Sequence, residues 1–110
     1  MALALNKFKT YTAQLNTGGA TIYTAPTGYT GIILYAHITN YASAGTTLTM
    51  SHVRSSTTTQ IINGAEVPVT DAYIPLDGKL VLETSDYVVG QAGANSTLKV
   101  LLSVLETANA

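Results

Sequence analysis

Apolar and polar residues alternate along most of the chain with a period of two, the pattern of β-strands that bury one face. The segment 46–54 shows it best, because Leu48, Met50 and His52 alternate there with threonine and serine. Residues that favour turns separate such segments roughly every 8 to 12 positions. We therefore predict strands at 8–15, 20–25, 31–40, 46–54, 66–69, 79–83 and 86–90, with 55–59 as a hairpin tip.

The strand at 31–40 is apolar on both sides, so its inner face has to be chosen. One face holds Ile33, Tyr35, His37 and Thr39. The other face is more apolar, and we expect it in the core. Its members are Ile32, Leu34, Ala36 and Ile38. A shift of the strand register by one residue would turn all of these apolar side chains to the solvent at once.

The segment that starts at Leu98 fits two patterns. A strand aligns Leu98, Val100, Leu102 and Val104, whereas a helix aligns Leu98, Leu101, Leu102 and Leu105. Periodicity does not separate these alternatives. We predict a strand, because the rest of the chain is rich in strands and because a strand that is buried on both faces is apolar throughout.

About eight short strands indicate an all-β chain folded as a single antiparallel β-sandwich, jelly-roll-like in topology. We expect residues 1–7 to form an amino-terminal arm and residues 8–110 to form the single domain. The predicted core residues are Ile32, Leu34, Ile38, Leu80, Leu82, Leu98, Val100 and Leu102.

Composition narrows the function. Among 110 residues only 10% are charged, and 18 threonines supply much of the polar surface, which is typical of proteins that pack into larger assemblies. A net charge of −1 gives no basic footprint for nucleic acid. The longest apolar run, 31–36, is far too short for a membrane helix, and the start of the chain lacks the basic region of a signal peptide.

The charged residues are divided unevenly along the chain. Residues 1–65 contain Lys7, Lys9 and Arg54 but no acid, while residues 66–110 contain all six acids and two lysines. The division has two interpretations. Complementary faces attract neighbouring subunits head to tail, or the sandwich topology interleaves the two halves and the division has no role in assembly.

Candidate catalytic chemistry is sparse. His37 and His52 lie within predicted strands and outside any motif of a nucleophile, a base and an acid. The spacing of the acids encodes no carboxylate pair, and the chain has no cysteine. We expect no enzyme activity, no catalytic residue, no metal site and no cofactor.

Six residues are candidates for contacts between subunits: Leu3, Leu5, Phe8, Tyr29, Tyr41 and Arg54. Leu3, Leu5 and Phe8 are large apolar residues at the start of the chain, and a lone tail leaves them in water. We expect the arm to dock on a neighbouring subunit by adding a strand to its sheet edge. The alternative is that the arm folds back on its own sheet.

Five stretches of the sequence, residues 1–9, 21–28, 32–40, 78–83 and 101–106, resemble small virion structural proteins of tailed phages, particularly the contractile-tailed phages of cyanobacteria. The resemblance implies a non-enzymatic virion component that binds other virion subunits and itself. It does not separate head, neck and tail, and among these we expect a capsid decoration protein. It also implies synthesis in the host cytoplasm and a final location in the virion. A neck, tail or baseplate accessory protein and a receptor- or glycan-binding module are the alternatives.

Overall fold

The computed structural model describes residues 6–76 and 78–109. Within these residues the secondary structure consists of β-strands without helices. The strands are β1 (Asn6–Leu15), β2 (Ala20–Thr24), β3 (Tyr29–Asn40), β4 (Thr46–Arg54), β5 (Thr57–Val67), β6 (Ala72–Tyr73), β7 (Leu80–Leu82), β8 (Tyr87–Ala92) and β9 (Leu98–Ala108).

The strands form two antiparallel sheets. The five-stranded sheet has the order β1-β9-β3-β6, with β7 also paired to β3, and the four-stranded sheet has the order β2-β8-β4-β5. Because β6 and β7 pair with different parts of β3, together they fill one position in the sheet. The result is the four-on-four arrangement of a jelly roll, which confirms the prediction of an antiparallel β-sandwich.

The core lies between the two sheets. Its largest fully buried apolar side chains are Leu15, Ile33, Ile38, Leu48, Met50, Leu82, Leu98, Leu102, Val67, Val88 and Val100. Among the residues expected in the core, Ile38, Leu82, Leu98, Val100 and Leu102 are at most 2% exposed. Leu80 is half-buried and packs against this core, whereas Ile32 and Leu34 are half-buried outside it, so the prediction was wrong for these two.

A β-bulge in β3 explains the error on that strand. Ile33 lies opposite Val104 and Tyr35 lies opposite Ser103, so the strand has one extra residue between these pairs. An extra residue reverses the alternation of faces along a strand. Ile33 is therefore buried before the bulge, and the expected residues Ala36 and Ile38 are buried after it.

Several strand limits differ from the predictions. β1 begins at Asn6, and residues 66 and 67 are the end of β5 and not a separate strand. The hairpin tip is confined to Ser55 and Ser56, which both have positive φ, as in a two-residue hairpin turn. The short strand β6 was not predicted.

The strand prediction for the last segment is confirmed, since β9 pairs along its whole length with β1 and β3. The expectation that both of its faces are buried is wrong. Leu102 is fully buried, whereas its neighbour Leu101 is 39% exposed on the outer side of the five-stranded sheet. β9 thus contributes apolar residues to both the core and the outer surface.

Candidate interaction surface

Apolar side chains from four strands align across the outer side of the five-stranded sheet. Phe8 lies opposite Leu105, Leu105 lies opposite Ile32, and Ile32 lies opposite Val81. Residues that are directly opposite in an antiparallel sheet project from the same side. Together with Tyr35 and Leu101, which also lie on this side, these residues form what we call the apolar face.

Members of the apolar face are left open to solvent. Phe8 is 74% exposed, Val81 52%, Tyr35 41% and Leu101 39%. Single exposed apolar residues are ordinary on a protein surface, but a contiguous group of this kind marks an interaction site.

The apolar face carries little charge. Along the three longest strands of the sheet, the positions on this side are Asn6, Phe8, Thr10, Thr12 and Gln14 of β1, Thr30, Ile32, Tyr35, His37 and Thr39 of β3, and Lys99, Leu101, Ser103, Leu105 and Thr107 of β9. Only Lys99 among them has a permanent charge, and it lies at one end. The rings of Tyr35 and His37 stack with centroids 5.9 Å apart, which adds a flat aromatic surface.

The outer side of the four-stranded sheet has a different chemistry. Thr49 lies opposite Gln91, and Ser51 lies between Gln60 and Val89. We call the polar positions of this side, Thr21, Thr47, Thr49, Ser51, Gln60 and Gln91, the hydroxyl face. The same register also places Val53, Tyr87 and Val89 on this side, but none of these three is exposed. Ser51 is 8% exposed, and the exposed hydroxyl and amide groups around it can hydrogen-bond to water, so the hydroxyl face needs no cover.

A buried acid closes one end of the sandwich. Glu106 is 1% exposed and accepts a hydrogen bond of 2.7 Å from the Tyr23 hydroxyl. The ammonium groups of Lys7 and Lys9 lie 3.4 and 3.6 Å from Glu106 Oε1. Burial alone raises the pKa of Glu106, but the Tyr23 hydroxyl, Lys9 and Lys7 outweigh it, so the pKa lies below its usual value. Glu106 is therefore held as an anion.

The Tyr23 side chain reaches Glu106 because residue 31 has no side chain. A Cβ at Gly31 stands 2.6 Å from the Tyr23 hydroxyl oxygen and 2.8 Å from a ring carbon. Burial, followed by the Glu106 carboxylate, raises the pKa of Tyr23, which keeps the hydroxyl protonated as a donor. Glycine at this position is thus required by a close approach.

A second buried acid joins the sheets near the same end. Asp86 is 3% exposed and accepts hydrogen bonds from Arg54, His52 and the Glu83 amide. Its backbone also bonds to Ala25, next to β2. The bonds from Arg54 are the main cause that lowers the pKa of Asp86 to about 2; burial opposes them, and His52 and the Glu83 amide add to them. Asp86 therefore stabilises the turn between β7 and β8.

These contacts explain the uneven division of charge along the chain. Lys7 and Lys9 of the first half pair with Glu106 of the second, and Arg54 pairs with Asp86 and Glu83. The jelly-roll order brings strands of the two halves side by side. All three basic residues of the first half thus find partners inside one subunit, as the interleaving interpretation requires.

The predicted contact residues lie in different environments. Phe8 belongs to the apolar face, whereas Tyr29 is 7% exposed and lies under the Lys7 ammonium group. Tyr41 is 44% exposed, and its hydroxyl donates to Gln14. Arg54 is held by Asp86. Leu3 and Leu5 lie outside the described residues.

Sequence reasoning missed most of the apolar face. Ile32 was assigned to the core, and Val81, Leu101 and Leu105 were not singled out. A signal was present, because β9 is apolar at both odd and even positions and only one set fits in the core of a two-layer sandwich.

Neither histidine is part of a recognisable catalytic site in residues 6–76 and 78–109. His52 contacts the carboxylate of Asp86, which Arg54 already occupies, and His37 contacts the Thr39 hydroxyl at 3.4 Å. In the same residues no three histidine, aspartate or glutamate side chains gather as metal ligands. No helix in the described part of the chain is long and apolar enough to cross a membrane.

Comparisons with known proteins define the chain at the level of fold. No protein-family model matches it. No curated protein matches it either. Similarity appears only with solved structures.

One similar structure is a chain of the T13 IBDV viral particle, with a TM-score of 0.54 and 11% identity over 94% of this chain. The match spans only 31% of that longer chain. Another is a chain of the acid-stable capsid of the Helicobacter pylori bacteriophage KHP30, with a TM-score of 0.54 and 14% identity over 94% of this chain and 88% of that one. A chain of the disulfide-linked pili of Bacillus endospore appendages reaches a TM-score of only 0.45 at 10% identity, with 100% of this chain and 97% of that one covered. The protein therefore shares its fold with chains from two viral particles.

Proposed function

We propose that the protein is a non-enzymatic structural component of a phage virion, and that it decorates the capsid. The apolar face carries this proposal. It is a contiguous surface of large apolar side chains, and along β1, β3 and β9 its side of the sheet has one permanent charge, Lys99, at one end, which is the composition of a surface that a partner covers.

The size of the apolar face suits a stable subunit contact. Four strands lie side by side, and β9 has 11 residues. At strand spacings of about 4.8 Å and about 3.3 Å per residue, the whole outer side of the sheet, the apolar face together with the threonines and Gln14 around it, measures at most roughly 700 Å². Specific interfaces bury roughly 800 Å² on each partner. Docking of the whole outer side is therefore in the size range of a specific subunit contact, with the apolar face at its centre.

The fold comparisons support a virion role. Both structures with a TM-score of 0.54 come from viral particles, one of them a phage capsid. The match covers 94% of this chain and 88% of the phage chain, so the two chains are of similar length. A chain of this size on a phage capsid agrees with the assignment as a decoration protein.

The proposal has two forms, which differ in where the protein lies in the virion and in how many copies are present. Decoration of the head demands many copies, whereas a neck, tail or baseplate protein occurs as a small symmetric set. The glycan-binding alternative rests on exposed aromatic rings, of which Tyr35, stacked on His37, lies on the apolar face itself. The depression beside Thr46 is lined by Gly45, Thr47, Glu66, Val67 and Pro68, and none of these side chains is aromatic.

The segment before Asn6 belongs to the same proposal. We propose that it docks on a neighbouring subunit through Leu3 and Leu5. Removal of residues 2–5 leaves β1 and its Lys7–Glu106 contact in place. The shortened protein is then expected to keep its melting temperature and to occupy particles at a lower level. Unchanged occupancy contradicts a role for this segment in assembly.

Quantitative mass spectrometry of purified virions from the phage that encodes the protein tests the proposal. Hundreds of copies per particle, located on the outer head surface by cryo-electron microscopy, are the expected result. A small ring of copies at the neck or tail contradicts the decoration role and keeps the virion role. Absence from purified particles overturns both.

A further inference from the structure

The free edges of the two sheets differ in how well they are protected. An edge strand exposes unpaired backbone groups and is guarded by shortness, bulges or charge. β2 has five residues and a register shift, and β6 and β7 have two and three residues. β5 is long, but it has two register shifts against β4. These edges are poor templates for another strand.

β1 is the exception. It is an edge strand of ten residues, and its register with β9 has no shift from Asn6 to Leu15. Its charged residues, Lys7 and Lys9, lie near its start and contact the buried Glu106 carboxylate. Residues 10–15 carry no charge, so in an antiparallel pairing of two copies the lysines lie opposite uncharged residues and no like charges meet. About half of its backbone N–H and C=O groups point away from β9, as in any antiparallel edge strand.

We propose that β1 pairs antiparallel with β1 of a second copy of this chain, around a two-fold axis. The two five-stranded sheets then form one continuous sheet. Such a pairing satisfies the backbone groups of both regular edges and leaves the bulged and short edges free.

This pairing joins the two apolar faces into one surface. A two-fold axis perpendicular to the sheet keeps the apolar faces of both copies on the same side. Phe8, which is 74% exposed in one copy, then lies next to the second sheet. The dimer therefore presents an apolar surface of twice the area on one side of the sheet.

The geometry restricts the register. Opposite residues must project from the same side of the sheet, so their residue numbers are both even or both odd. Overlap of nearly all ten residues then allows two registers. In one, Thr10 lies opposite Thr10 of the second copy, and in the other it lies opposite Thr12.

Single-cysteine variants test the register, because the chain has no cysteine and each variant cross-links only to another copy. Treatment of Thr10→Cys with a short thiol cross-linker, or of a mixture of Thr10→Cys and Thr12→Cys, is expected to give a covalent dimer. Thr58→Cys on the exposed edge β5 is the matched control and is expected to stay monomeric on denaturing gels. Equal cross-linking of the β5 control overturns the proposal.

Light scattering of the purified protein tests the interface without particles, so its outcome does not depend on the virion role. The unmodified chain is expected to have twice the mass of one subunit, and the variant Thr10→Glu/Thr12→Glu half of that mass. A mixture of this variant with Thr10→Lys/Thr12→Lys is expected to restore the dimer, which shows that both variants fold. A monomeric unmodified protein, or a mixture that stays monomeric, contradicts the proposal.

Discussion

The two outer sides of the sandwich are built on the same type of strand and differ in chemistry. The apolar face aligns Phe8, Leu105, Ile32 and Val81 across four strands. The hydroxyl face presents Thr49 opposite Gln91 and Ser51 opposite Gln60. In a two-layer sandwich each sheet needs apolar residues only on its inner side. The five-stranded sheet has apolar residues on its outer side as well.

This difference separates stability from interaction. Inward residues hold the two sheets together, and the hydroxyl face is compatible with water. The apolar face adds nothing to the core, so its cost in solubility is explained by a partner that covers it. The predictions below test that separation, from the largest expected effect to the smallest.

Substitution of two adjacent leucines of β9 compares how much the core and the apolar face contribute to stability. Leu102 is 0% exposed and Leu101 is 39% exposed. We expect Leu102→Ala to lower the free energy of unfolding by about 2–5 kcal/mol, because it leaves a cavity. Leu101→Ala is expected to cost less than about 1 kcal/mol. Urea unfolding measures both, and equal losses contradict the separation of the two sides.

Gly31 tests the packing beneath the start of β3. We expect Gly31→Ala to cost about 1–3 kcal/mol of unfolding free energy, because the added Cβ displaces Tyr23 from Glu106. Gly78→Ala is the matched control, since a Cβ there meets no atom within 4 Å. A stable Gly31→Ala variant means that Tyr23 has another position.

Acid unfolding tests the buried Asp86 carboxylate, which accepts hydrogen bonds from β4 of one sheet and from Glu83, next to β7 of the other sheet. The pKa of Asp86 is about 2 in the folded chain, against an ordinary value of 3.8. Because the pKa is lower in the folded chain, the ionised Asp86 stabilises the fold at every pH above its ordinary pKa. This stabilisation is lost as the pH falls from about 4 to about 2. The lowered pKa contributes roughly 2 kcal/mol to the free energy of unfolding at neutral pH. Asp86→Asn is expected to lower stability at pH 7 and to flatten this acid dependence; an unchanged acid profile contradicts the assigned hydrogen bonds.

Binding of a hydrophobic dye gives the smallest effect and compares the two faces directly. We expect Val81→Lys/Leu101→Lys to reduce dye fluorescence and to change the free energy of unfolding by no more than about 1 kcal/mol. Thr21→Lys/Gln60→Lys adds the same charge on exposed positions of the other sheet. The control is expected to leave the fluorescence unchanged.

The sandwich was predictable from the sequence because alternation and turn residues report on each strand by itself. The chosen face of β3 was only partly right, since Ile32, Ile33 and Leu34 are all apolar and the pattern does not reveal the bulge between Ile33 and Tyr35. A bulge depends on pairing with β9, which lies far away in the sequence.

Only the β9 part of the apolar face was predictable from the sequence, for a related reason. Phe8 was singled out, but Leu105, Ile32 and Val81 become its neighbours only through the order β1-β9-β3-β7. Arg54 and Tyr29 were expected at a subunit contact, and the structure shows the partners that they have within the chain. Their role between subunits stays a prediction.

Occupancy of virions by charged variants tests the central claim, that a partner covers the apolar face. Particles that lack the protein are mixed with Val81→Lys/Leu101→Lys or with the control Thr21→Lys/Gln60→Lys, and bound copies are counted by mass spectrometry. Two charges placed in a buried apolar contact are expected to reduce affinity at least about tenfold, while the control binds like the unmodified protein. Normal occupancy by Val81→Lys/Leu101→Lys contradicts the claim.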